Sequence, residues 1–139
     1  MFNGDTSLAV FDFSNTETIG GEAFRNTAFV EIYLPKLVSA AGGSFYACSK
    51  LEKVIIGPDC TTLSGQIFAY CPKLLTFICL AETPPTIASG ASLFGGNTPR
   101  STMNIYVPDD SVNAYKTSWS SFASRIKGIS EYTGTLPNN

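Results

Sequence analysis

Four cysteines, at positions 48, 60, 71 and 79, are the side chains of this 139-residue chain best equipped for chemistry. A thiolate can attack a carbonyl, hold zinc or enter a disulfide, but each role needs partners. Histidine, the commonest general base and metal ligand, is absent from the sequence. Ser–His and Cys–His nucleophile systems therefore cannot be built within the chain, and neither can a Cys2His2 zinc site. The cysteines contain no Cys-x-x-Cys pair. Glu17 and Glu22 could be drawn as the carboxylate pair of a glycoside hydrolase, yet nothing places them across a cleft. Asp59, Glu82, Asp109 and Asp110 lack the spacing of a calcium loop. Gly95-Gly96-Asn97 lacks the Lys-Ser/Thr of a phosphate loop. Lys50 and Lys73 occupy like positions and could hold an anion, although such side chains more often splay into water. The residue chemistry predicts no catalytic residue, no metal and no cofactor, and hence no enzyme.

The elements that carry these residues explain the cysteines better. A phrase of small residue, Phe, two residues, Cys, two residues and Leu recurs along the chain, closing on a short alternating apolar run. Ser44-Phe45-Tyr46-Ala47-Cys48 through Ile56 is one copy, and Ile67-Phe68-Ala69-Tyr70-Cys71 through Cys79 is the next. An earlier copy runs from Ala23-Phe24 to Leu34-Pro35, and a looser one from Leu93-Phe94 to Val107-Pro108. The anchor phenylalanines 24, 45, 68 and 94 lie 21, 23 and 26 residues apart, the signature of a stacked repeat. Cys79 falls where Leu34 and Ile56 stand, and Cys60 where Val38 stands, which is how a small core hydrophobe behaves. Buried free thiols are expected. A Cys48–Cys71 bridge is the rival reading, because stacking brings like positions to about 4.8 Å.

Each repeat closes on strand-like alternation, giving expected strands near 8–13, 30–34, 53–57, 76–80 and 103–107. Phe11 and Phe13 supply the first of these. Pro35, Pro58 and Pro108 have no amide to donate and end the ladder. Successive strands must be parallel, one per coil of a right-handed solenoid. After Pro108 the texture changes: Val112, Tyr115 and Trp119 form a helical stripe, with Asp109 or Asp110 able to cap it, and Phe122, Ile126 and Ile129 continue the apolar face. The division expected is a repeat stack over 1–108, a helical cap over 109–129 and a frayed tail over 130–139.

Composition bounds the partners. The chain is 44% hydrophobic and 14% charged, with net charge −2. No basic excess is available to neutralise phosphates, which argues against nucleic acid. No apolar run approaches the roughly 18 residues that span a bilayer, so no membrane insertion by this segment is expected. The opening Met-Phe-Asn-Gly-Asp-Thr has neither the basic nor the apolar region of a secretion signal.

Ala23-Phe24, Ser44-Phe45 and Phe68, each followed by a Cys or Thr step and an apolar ladder, resemble the BspA-like, type-5 leucine-rich repeats. These are abundant in gut and oral Bacteroidetes and occur in some protozoan surface proteins. Ile105-Tyr106-Val107-Pro108-Asp109-Asp110 through Trp119 resembles the C-terminal closure common in that family. The resemblance covers about residues 7–129, with a shortened first loop, Thr27 in place of Cys and an insertion in the fourth copy. It implies a secreted or cell-surface bacterial protein, with adhesion and protein binding as the roles, and it carries over no catalytic residue.

In such a stack the side chains of Phe11, Phe13, Ile32, Leu34, Val54, Ile56, Phe77, Cys79, Ile105 and Val107 point inward. Asp12, Tyr33, Ile55, Ile78 and Tyr106 then point outward, the last four forming an apolar stripe on an open sheet face. Beside it runs a polar rail of Glu31, Lys53, Thr76 and Asn104. These eight residues are the expected binding site for a protein or glycan partner. The competing reading is a structural spacer or terminal cap of a larger array, in which the stripe only supports the sheet through cross-strand pairs.

Overall fold

The computed structural model describes residues 2–87, 93–95 and 103–137. Part of the insertion expected in the fourth copy lies outside those residues. Strands β1 (Thr18–Ile19), β2 (Glu31–Leu34), β3 (Ser39–Ala40), β4 (Lys53–Ile56), β5 (Thr62–Leu63), β6 (Thr76–Cys79), β7 (Thr86–Ile87), β8 (Asn104–Val107) and β9 (Ile126–Gly128) make two parallel sheets. The longer strands stack in the order β2-β4-β6-β8-β9, and the two-residue strands in the order β1-β3-β5-β7. One strand of each sheet per coil is the architecture of a short repeat stack. The second sheet escapes a search for alternation, because two residues cannot alternate visibly. Its periodic signal is Ile19, Ala40, Leu63 and Ile87, one apolar residue per coil.

Register follows the repeat. Glu31 pairs with Lys53, and Lys53 with Thr76. Thr76 then pairs with Asn104. Alternation along each strand sends Ile32, Leu34, Val54, Ile56, Phe77, Cys79, Ile105 and Val107 into one core. The anchor phenylalanines run through that core as a ladder. Phe24 stacks on Phe45 at 5.4 Å, Phe45 on Phe68 at 5.7 Å, and Phe68 on Phe94 at 6.2 Å. Each ladder step is clasped by backbone, the Phe24 amide donating to Ser44 and the Phe45 amide to Ile67. Among the described residues, the turns bracketing the anchors hold Glu22, Asn26, Ala47, Gln66 and Tyr70 in the left-handed region, at φ between 56° and 62°. Gly57 marks a close crossing: a Cβ there would stand 2.0 Å from the Pro35 carbonyl oxygen.

The cysteines are free and buried, and two of them have a polar task that their spacing does not reveal. The Cys48 thiol donates to the Phe24 carbonyl at 3.3 Å, and the Cys71 thiol to the Phe45 carbonyl at 3.3 Å. Thr27, at the same step of the first coil, donates its hydroxyl to the anchor of its own turn, so the Phe24 carbonyl accepts from Thr27 at 2.8 Å as well as from Cys48 in the next coil. Either side chain at this step can satisfy a carbonyl that the stack has removed from water.

The N-terminal segment corrects an expectation. Residues 8–13 form no strand. Phe13 is buried as expected, but Phe11 is 39% exposed. The coil is anchored instead by Phe2, which stacks on Phe24 at 5.4 Å and whose amide donates to Ala23, repeating the clasp of the later anchors.

The C-terminal end is closed by a 3-10 turn (Asp109–Ser111) and helix α1 (Val112–Ser118), followed by a second 3-10 turn (Ser120–Arg125). Neither Asp109 nor Asp110 caps α1 with its side chain. The Asp109 carboxylate accepts from the Ser130 amide at 3.0 Å instead, tying down the chain beyond β9. The cap is stapled to the stretch that breaks the repeat rhythm. The Ser111 hydroxyl donates to Glu82 (2.7 Å), the Tyr115 hydroxyl to Ala81 (2.6 Å) and the Trp119 indole to Pro85 (3.0 Å). Ala81 and Pro85 are buried, so their carbonyls need such donors.

Candidate functional site

Strand register brings all eight expected residues onto one face of the larger sheet. Tyr33, Ile55, Ile78 and Tyr106 form one row across four coils, and Glu31, Lys53, Thr76 and Asn104 form the neighbouring row. Strand β9 adds a residue that the repeat did not point to, Lys127 opposite Tyr106. The apolar row is not open, however. Ile55 is 4% exposed, Ile78 0% and Tyr106 9%. They make a second apolar cluster, outside the main core, closed by Tyr33, Leu80, Ile129 and Tyr132.

The cover is the chain's own C-terminal segment, which the sequence reads as a frayed tail. The Tyr132 ring packs on the Tyr106 ring at 5.1 Å. The Lys53 ammonium stands 5.2 Å above the Tyr132 ring, and it donates to the Thr135 carbonyl at 3.3 Å. The expectation of an open stripe fails because four apolar side chains in register leave a patch that a nearby tyrosine can bury. Tyr132 and Leu136-Pro137, apolar residues in an otherwise polar terminus, were the available signal.

The uncovered end of the face is a groove of about 490 Å³ between the N-terminal coil and the tail. It is lined by Phe11, Phe13, Glu31, Tyr33, Lys53, Ile55 and Leu136 among others. Of the expected site residues, Glu31 is exposed and Tyr33, Lys53, Thr76 and Asn104 are half-buried. The groove thus combines apolar walls, two exposed carboxylates (Asp12 and Glu31) and one lysine already engaged by the tail.

A different exposed surface lies on the turn edge. The Arg25 guanidinium sits 4.5 Å above the Tyr46 ring, whose centroid is 5.2 Å from that of Tyr70. Tyr70 is exposed, and a shallow depression with Glu22 and Gln66 adjoins Tyr46. These residues fall outside the ladder positions, so periodicity did not single them out.

Among the described residues no cluster of three or more His, Cys, Asp or Glu side chains could hold a metal. Three of the four thiols are raised: burial first, then the neighbouring Cys79, pushes the Cys60 thiol up to about 12. Cys79 is likewise raised by burial. The sulfur of Cys48 beside it, together with burial, holds Cys71 well above its ordinary value. Such neutral buried thiols are poor nucleophiles. The hydrogen bond with Cys71 lowers Cys48 to about 7 against the effect of burial, but its side chain is fully buried in the core. No described helix is long and apolar enough to cross a membrane.

A family model described as a BspA-type leucine-rich repeat region matches residues 1–97 in six copies. No curated protein matches the chain in sequence.

Proposed function

The chain belongs to the BspA-type leucine-rich repeats, and from that premise we propose that it is a non-enzymatic binding and adhesion module of a secreted or cell-surface bacterial protein. It presents the outward face of its larger sheet to a protein or glycan. The observation that carries this reading is the solvent-open groove beside Glu31, Tyr33 and Lys53, set on strands whose register fixes its walls. A parallel sheet closed by two layers of backbone pairing is a rigid platform, and rigidity lowers the entropy lost on binding. Tyr33 offers an amphipathic contact and Glu31 a hydrogen-bond acceptor beside it.

A glycan array and a panel of purified host surface proteins test the reading. The Glu31→Ala, Tyr33→Ala pair should weaken any partner found by about tenfold or more, as loss of an interface anchor does. The Tyr46→Ala, Tyr70→Ala pair on the turn edge should leave it unchanged. The reverse result would move recognition to the turn edge.

A structural-spacer reading is favoured by one observation. The apolar row of the sheet is already buried by the chain's own tail, as a surface with no outside partner would be. Absence of any ligand across both panels supports that reading.

A further inference from the structure

The tail shows what kind of molecule the sheet face accepts. We infer that this face is a peptide-binding face, filled here by residues 129–137, and that its outside partner is an extended peptide with an aromatic anchor followed by small and apolar residues. The inference rests on the binding-module reading and narrows its partner from protein or glycan to peptide.

Three features carry it. The seat is built for a ring: the Tyr132 ring packs at 5.1 Å and a 55° tilt on the Tyr106 ring, and the Lys53 ammonium stands 5.2 Å over it. A tilted aromatic pair with a cation over one ring is a favourable arrangement. The next contact is to backbone. Lys53 reaches the Thr135 carbonyl at 3.3 Å, a group that every peptide has and that depends on no particular side chain. The groove then continues past Leu136 and Pro137 to Phe11, Phe13, Glu31 and Tyr33, so the face offers more length than the described tail uses.

The tail is held by few anchors and remains displaceable. Thr133 to Pro137 are exposed along their length. The hold also depends on one residue of its own. A Cβ on Gly134 would stand 2.2 Å from the Tyr132 hydroxyl oxygen and 2.4 Å from its Cζ. The chain passes over its own tyrosine only because position 134 is glycine. With the Tyr132 ring held by Tyr106 and Lys53, a side chain at 134 must push the tail or the ring out of place. A tethered segment competes at an effective concentration on the order of millimolar, so the face is masked rather than absent.

The probe is a fluorescent peptide of residues 129–137, added to the intact chain and to full-length Gly134→Val and Tyr132→Ala variants. Neither position lies in a strand. Both variants should bind the peptide about tenfold or more tightly than the parent, the gain expected when a masked site becomes available. Adding Lys53→Ala to Gly134→Val should abolish the gain, and a peptide with alanine in place of its tyrosine should not bind. No gain in either variant, with circular dichroism showing both folded, overturns the inference. So does equal binding of the alanine peptide. If an array or panel partner binds the intact chain while the peptide binds no variant, the module reading stands and the peptide inference falls.

Discussion

At the scale of single residues, the polar role of the cysteine step is the least visible in sequence and the most testable. Cys48 and Cys71 are readable as core residues from their alternation with apolar ones in neighbouring repeats. Their donation to Phe24 and Phe45 is not, because a thiol and a methyl look alike in a hydropathy pattern. Thr27 is the clue, since a hydroxyl at that step needs an acceptor. Cys71→Thr should therefore be tolerated, within about 1 kcal/mol, whereas Cys71→Val leaves the Phe45 carbonyl unpaired and should cost roughly 1–3 kcal/mol. Urea melts of the two variants side by side measure this. The raised thiols also fix a pH limit. Cys60 has a folded value of about 12 against an ordinary 9.0, so the folded state holds its proton more tightly. Its contribution is fully present below pH 9 and is lost as pH rises through 12. In that window stability should fall by about 1.4 kcal/mol per pH unit for this thiol. A melt that is flat from pH 9 to 11 would show the thiols to be solvated.

At the scale of elements, the strands of the larger sheet and the C-terminal helix were legible because each has a period long enough to read. Four alternating residues closed by proline identify a strand, and Val112, Tyr115 and Trp119 identify a helix face. The second sheet has two residues per strand, and only its recurrence once per coil gives it away. Residues 8–13 alternate well yet form no strand. Phe11 instead turns onto Phe2 and Phe24, 5.5 and 5.2 Å away, so ring packing rather than ladder pairing organises that end. The anchor ladder is the element-scale feature that most directly sets stability. Phe68 is stacked between Phe45 and Phe94 and 1% exposed. Phe68→Ala should cost about 3–5 kcal/mol, the usual loss for a buried aromatic, and a denaturant titration showing under about 1 kcal/mol would contradict the ladder. Of the candidate site, the sequence made the two rows legible through strand register. It hid their cover, because Tyr132 reaches them from outside the repeat.

At the scale of the molecule, the two ends of the stack are unlike. The C-terminal end carries a helix stapled by Ser111, Tyr115 and Trp119, while the N-terminal coil closes over Phe2 and Phe13 and adds no strand to the larger sheet. In a stack where each coil touches chiefly its neighbours, stability is additive along the axis and loss begins at the weaker end. Amides of β2 should exchange with deuterium before those of β6 and β8. Uniform exchange across the coils would mean that the stack opens as one unit.

Trp119 turns this polarity into an optical measurement. It is the sole tryptophan of the chain, 2% exposed and bonded to Pro85 at the strong end. Its emission spectrum reports one pole, whereas far-ultraviolet dichroism averages over every coil. The separation between the two melting midpoints is then a ruler for how far cooperativity travels along a leucine-rich stack of this length.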